Sequence, residues 1–419
     1  MAIIVLSTPE SYGLAYNDNP YVFYSNAYAA SQRFKVLILP STYPTDPILS
    51  TVRVYPRQGV TDAGVVTNDR TYFDPSRILQ TQLAGNIAIP SANHQAWFSC
   101  PSMHYEYALF IQEENKVGGQ YVEGASIITD LKSVWNGVRN KVDWLDFDYT
   151  DYLLGDETKK FLTDAPRTQY INSNQSLFLY MIDAGVETNL YEIIAYDSSG
   201  IALSSAKVSN TNYPFTPSNN NHRYMRIPIG TYDIANVDPS LSNNANINTM
   251  LDDAAYYTVT VKKASINKSE TVTIHINAKC SKYTPVRLHW LNRLGGFDSF
   301  NFNLKSEEET AITRASYLQD EHRFTGTSWV YDSYSRGTTD YHVKTQDKLT
   351  INTDYLTESE SVWMNDFASS PVVYQEVNNQ LIAMSGKPKM IAKQTSLNDK
   401  LMQYTFELDY SLNNNRQRG

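Results

Sequence analysis

Five aspartates crowd one short stretch, Asp143, Asp146, Asp148, Asp151 and Asp156, interleaved with Trp144, Phe147, Tyr149 and Tyr152. A hard cation such as calcium gathers about six to eight oxygens, several of them from carboxylates. The stretch lacks the glycine and the closing bidentate glutamate of an EF-hand loop. It therefore reads as an acidic, aromatic connector that docks its rings and leaves its acids in water. Carboxylate pairs for glycoside hydrolysis must stand roughly 5 to 9 Å apart across a cleft, a separation that spacing along a chain does not define. Glu307-Glu308-Glu309 reads as a solvated turn or helix start. His289 lies between Leu288 and Trp290 without a ligand-bearing neighbour in sequence, which favours a satisfied or exposed strand histidine over a metal ligand. Cys280 has no base beside it and reads as an inert thiol. No G-x-G-x-x-G, Walker loop, H-E-x-x-H or G-x-S-x-G occurs, which argues against dinucleotide, nucleotide, zincin and hydrolase chemistry. No catalytic residue, cofactor or metal is expected.

The elements that would carry these residues are expected to be strands. The 419 residues hold 35 Lys+Arg against 44 Asp+Glu, a net charge of -9, which argues against a basic nucleic-acid binder. Fifty-two aromatic residues, 31 of them Tyr, exclude a disordered chain. Two cysteines, Cys100 and Cys280, cannot build a disulfide framework or a structural zinc site. No run approaches the roughly 18 apolar residues of a membrane helix. The opening Ala2–Leu6 run is short for a signal segment and has no basic residue before it, so folding in a cytoplasm is expected.

Short β-rich runs recur between Pro, Gly, Asn and Ser clusters. Strands are expected at 21–24, 34–39, 51–55 and 105–112. Asp74-Pro75 starts a short helix whose Ile78, Leu79 and Leu83 plug a sandwich. Further strands are expected at 176–180, 191–196, 286–292 and 400–410, and hairpins over 256–276 and 372–384. A helix near 358–367 should turn Val362, Met364 and Phe367 inward. The fold class expected is mainly β and multidomain, with sandwich-like domains, few short helices and long polar loops. The divisions are an N-terminal β domain at 1–130, the acidic aromatic connector at 131–165, a middle β-sandwich-like domain at 166–280, and a C-terminal β-rich domain with an extended tail at 281–419.

One string stands apart: Trp290, Leu291, Asn292, Arg293, Leu294, Gly295, Gly296, Phe297, Asp298, Ser299 and Phe300. It resembles a motif of tail, neck and baseplate proteins of tailed phages infecting Bacteroidota, crAss-like phages among them. Weaker pieces follow in the same order as in that family. They are Phe73–Leu79, Phe161–Pro166, Trp363–Pro371, the Leu397-Asn398-Asp399 segment, and Phe406–Tyr410. The resemblance runs from about residue 70 to the C-terminus and carries over no catalytic residue.

What it implies is a non-enzymatic structural subunit of a tail hub, ring or baseplate, located in the virion and assembled in the host cytoplasm. Its partners would be copies of itself in a ring and other tail or neck proteins, with no membrane and no specific nucleic acid. A tyrosine-rich β protein with long polar loops suits large subunit contacts. The alternatives are a tail-tip adhesin that stacks aromatic rings on surface glycans and, behind it, a glycan-degrading tail enzyme.

Overall fold

The computed structural model describes residues 2–26, 32–60, 66–90, 97–184, 190–209, 222–277, 282–334, 337–386, 402–412 and 414–415. It is mainly β, with several sheets and few short helices. Two compact units divide the chain: Met1–Asn277 with Asn292–Asp298, and Ala278–Leu291 with Ser299–Gly419.

The first unit contains two hydrophobic cores. In the first, alternation along Gln32–Pro40 sends Phe34, Val36 and Ile38 inward and leaves Arg33 and Lys35 on the other face. This strand pairs antiparallel with Ser50–Val54 on one side and His104–Val117 on the other. A second sheet, ordered Ile3–Ser7, Tyr21–Ser25, Val66–Phe73, Arg57–Val60, supplies Tyr21 and Phe23 to the same core. Helix Ser76–Leu83 adds Leu79 and Leu83. Asp74 stands ahead of Pro75, and its carboxylate accepts from the Ser76 backbone N–H at 2.9 Å, so the helix starts where its sequence signals place it.

The second core lies between two further sheets. One is ordered Thr168–Ile171, Val272–Ile276, Tyr256–Lys263, Leu190–Tyr196, Ala202–Ser209, and the other Phe178–Ala184, His222–Pro228, Phe98–Ser99. Ile193, Val259 and Ile274 from the first meet Leu179, Met181 and Ile227 from the second. The hairpin expected over 256–276 is present, with Tyr257 opposite Ile274.

The stretch expected to be a connector is more structured than its lack of periodicity suggests. Lys132–Trp135 is a fully buried strand, antiparallel to His104–Val117 and parallel to Tyr12–Leu14. Asn140 then caps a short helix, Lys141–Leu145, by accepting from the Val142 and Asp143 N–H groups. Rings order the remainder: Tyr149 stacks on Tyr12 at 5.3 Å, and Phe147 on Trp144 at 5.3 Å.

The second unit is built on one large sheet, ordered Phe297–Phe302, Val286–Leu291, Val373–Val377, Gln380–Gly386, Thr405–Tyr410, Thr338–Asn352, Glu307–Leu318. Asn378 and Asn379, at φ 50° and 59°, form the two-residue turn of the expected hairpin. Thr357 and Glu360 make a capping box that starts helix Glu358–Ser369. Its inward residues are Trp363, Met364 and Phe367, while Val362 is exposed. The expectation for Val362 fails because the indole of Trp363 has more apolar area to bury and claims the inward row. Trp363 and Phe367 lie 5.1 and 5.2 Å from the Trp290 ring, and Phe406 lies 4.8 Å from Phe367.

Glu307-Glu308-Glu309 opens a long strand rather than a turn or helix, because each glutamate has a cross-strand partner in Thr350, Leu349 and Lys348. The closing strand is shorter than expected, Thr405–Tyr410. No helix among the described residues is long and apolar enough to cross a membrane.

Candidate functional site

The tip of the family-like string folds into a tight, fully bonded loop of the first unit. Asn292 is 4% exposed and uses both ends of its amide. Its Nδ2 donates to the Leu162 carbonyl at 2.9 Å and to Asp298 Oδ1 at 2.8 Å. Its Oδ1 accepts from the Leu294 and Gly296 N–H groups, each at 3.0 Å. Thr163 Oγ1 donates to the same Asp298 oxygen at 2.7 Å.

Gly295 adopts φ +85°, and a Cβ there would stand 2.2 Å from the Asn136 carbonyl oxygen. Only glycine satisfies both demands. A Cβ on Gly296 would press on Tyr180 and the Leu162 carbonyl at 3.0 Å. Leu294 and Phe297 are buried, and Phe297 lies beside Tyr180. The Arg293 carbonyl accepts from the Val138 N–H at 2.7 Å. The loop thus locks the 136–163 stretch to the strand carrying Tyr180. Arg139 reinforces that stretch by donating to Asp164 at 2.7 Å and to the Tyr152 hydroxyl at 2.9 Å.

Trp290 and Leu291 are buried in the second unit, and Phe300 is half-buried with its ring 5.9 Å from Trp363. Leu397, Asn398 and Asp399 lie outside the described residues. The motif residues that are described are therefore mostly buried framework, with Arg293 and Phe300 only partly covered.

A second cluster was not legible from spacing. On neighbouring strands of the second unit, Ser299 Oγ is 2.7 Å from His289 Nδ1, and His289 Nε2 is 2.8 Å from Glu376 Oε2. Arg287 shares that carboxylate at 3.4 Å. Serine, histidine and carboxylate in a row is the composition of a nucleophilic triad. A triad serine must meet substrate, yet Ser299 is 5% exposed and His289 0%. Burial holds His289 below its ordinary pKa, against the pull of Glu376, so the imidazole is neutral and bridges a hydroxyl and a carboxylate inside the sheet. It is a satisfied strand histidine.

Four of the five aspartates of the connector are engaged separately, and Asp146 is exposed. Asp148 accepts from the Thr150 N–H at 2.8 Å, Asp151 pairs with Lys160 at 2.8 Å, Asp156 accepts from the Thr158 N–H at 2.8 Å, and Asp143 accepts from Asn140. Among the described residues no group of three His, Cys, Asp or Glu side chains stands together. Cys100 is buried, and burial pushes its thiol up to about 11. Cys280 lies outside the described residues.

The exposed chemistry of the second unit gathers on the strands Glu307–Leu318 and Thr338–Asn352 and on the small hairpin His322–Phe324 with Trp329–Tyr331. Ile312, Tyr317, Leu318, Phe324, Trp329 and Tyr331 are all exposed. Phe324 and Trp329 face each other across the hairpin with ring centroids 5.4 Å apart. Paired, exposed rings of this kind suit a recognition surface. The Thr-Gly turn at Thr325-Gly326 was the available sequence signal.

No family model and no curated protein matches the chain. Among solved structures, a marsupial T cell receptor is similar at a TM-score of 0.18 and 8% identity, over 83% of this chain and 96% of that one. A likeness of that size carries no argument about fold or role.

Proposed function

We propose that the chain is a non-enzymatic structural subunit of a phage tail, a hub, ring or baseplate component, that assembles in several copies and joins neighbouring tail proteins in the virion. The observation that carries this reading is the exposed aromatic and aliphatic surface on the Glu307–Leu318 and Thr338–Asn352 strands and their hairpin. Side chains of that size left in water gain most when a partner covers them. The family-like string supports the same reading, since it builds rigid framework and carries no reactive group toward solvent. The burial of Ser299 and His289 speaks against acyl-transfer chemistry at the place where such residues converge among the described residues.

A tail-tip adhesin is the second reading, favoured by the paired Phe324 and Trp329 rings, a platform on which a sugar face can stack. Mass spectrometry and imaging of purified particles test the first reading. The expected result is this chain in stoichiometric, symmetric copies within the tail. Its absence from particles, or a monomer that cleaves sugar polymers, overturns it. Glycan binding lost in Trp329→Ala favours the adhesin.

A further inference from the structure

Strand Glu307–Leu318 ends the large sheet of the second unit, and among the described residues no strand pairs with its outer edge. Nearly every residue along it is exposed on both faces. An edge of this length is a template for another strand. Natural edges are guarded by charge and bulges, and this one has Glu307, Glu308 and Glu309 at one end and a register shift between Ala315 and Ser316 at the other.

Those guards leave one favourable partner. For two copies to continue the sheet antiparallel, their two-fold axis must stand normal to it, so opposed residues come from the same face. Registers centred on Glu307, Glu308 or Glu309 set glutamate against glutamate, and one centred on Arg314 sets arginine against arginine. With Ala311 opposite Ala311, Glu308 faces Arg314 twice, Thr310 faces Ile312, Glu309 faces Thr313 and Glu307 faces Ala315. No other same-face register places Arg314 directly opposite a glutamate. Arg314 keeps 60% of its side chain exposed beside Asp340, which leaves guanidinium donors for a second carboxylate.

We infer that this edge is a self-association site, on which the same strand of a second copy pairs antiparallel over residues 307–315 with Ala311 on the two-fold axis. The inference rests on the reading that the chain assembles in several copies, and it supplies one of the contacts. Such a pairing closes on itself as a dimer, so a ring needs a second, different surface.

Charge reversal tests it on the full chain by sedimentation at low salt, with near-ultraviolet dichroism confirming that each variant folds. Glu308→Arg or Arg314→Glu should weaken the dimer about tenfold or more, and the double variant should restore it. Ala311→Cys provides a test independent of charge. Opposed Cα atoms on antiparallel strands are roughly 4.5 to 5.5 Å apart, within disulfide range, so mild oxidation with diamide should give a 311–311 cross-link. An oligomer unmoved by either reversal, with no 311–311 cross-link, overturns the edge pairing and leaves the assembly reading standing. A wild-type chain that is monomeric at every concentration and missing from particles overturns both.

Discussion

Replacing Asn292 with alanine removes the lock on the family-like loop. Four hydrogen bonds disappear: two donated by Nδ2, to Leu162 O and Asp298 Oδ1, and two accepted by Oδ1, from the Leu294 and Gly296 N–H groups. Asp298 retains Thr163 Oγ1, so its loss is partly covered. The Leu294 and Gly296 N–H groups lose a partner with the surrounding side chain 4% exposed, and water enters poorly there. At about 1–2 kcal/mol for each of the two stranded N–H groups, the local cost is about 3 kcal/mol. That corresponds to roughly 100-fold faster opening of the loop. Hydrogen exchange read by mass spectrometry on a peptide covering residues 293–297 measures it without assuming that the whole chain unfolds in one step. Asn292→Asp is the sharper companion. It keeps an acceptor, loses both donations, and sets a carboxylate where the amide stood, 2.8 Å from Asp298. Two like charges so close raise the pair's pKa above the unfolded value, so this variant should be the less stable at neutral pH and recover as the solution is acidified through the folded pKa. Exchange at 293–297 unchanged within threefold in Asn292→Ala would refute the assignment of this amide as the lock.

Gly295→Ala adds a Cβ at φ +85° and 2.2 Å from the Asn136 carbonyl, so it should lower stability by at least about 2 kcal/mol, read as a lowered urea midpoint, whereas Gly85→Ala, with open space around it, should cost less. His289 has a folded pKa below its unfolded value, so the unfolded chain binds the proton first as pH falls. Its contribution is fully present above about pH 6.5 and is lost as pH drops toward the folded pKa, and His289→Gln should flatten the urea midpoint between pH 7.5 and 5.5. Cys100, pushed from 9 to about 11, should react with iodoacetamide at pH 8 roughly 100-fold more slowly in the native chain than in urea, as peptide mapping would show; equal rates would refute its burial. Trp329→Ala, at a residue 66% exposed, should leave the unfolding free energy from urea titration within about 0.5 kcal/mol of wild type while weakening attachment to particles.

Much of the fold is legible along the chain because burial on one sheet face writes itself as alternation. Phe34, Val36 and Ile38, the Tyr256–Ile276 hairpin and the Asp74-Pro75 helix start all follow from rules spanning a few residues. The connector was harder, since Lys132–Trp135 is buried on both faces and lies between strands distant in sequence, and Tyr149 is held by the ring of Tyr12. The helix near 358 was legible, with Met364 and Phe367 inward as expected, but Trp363 rather than Val362 completes the inward row, packed on the Trp290 ring.

The candidate sites divide in the same way. Composition and motif absence alone turn the reading away from nucleotide, zinc and hydrolase chemistry, and the glycine pair at 295–296 announces a tight loop. That Asn292 holds Leu162, that His289 meets both Ser299 and Glu376, and that Glu307–Leu318 ends its sheet were decided only by tertiary structure. Periodicity reports which face of a strand is dry, a property of near neighbours. Which strand lies alongside, and which edge has none, depends on pairing between residues far apart in the chain, as with Met225 opposite Ser99, and local sequence carries no term for that.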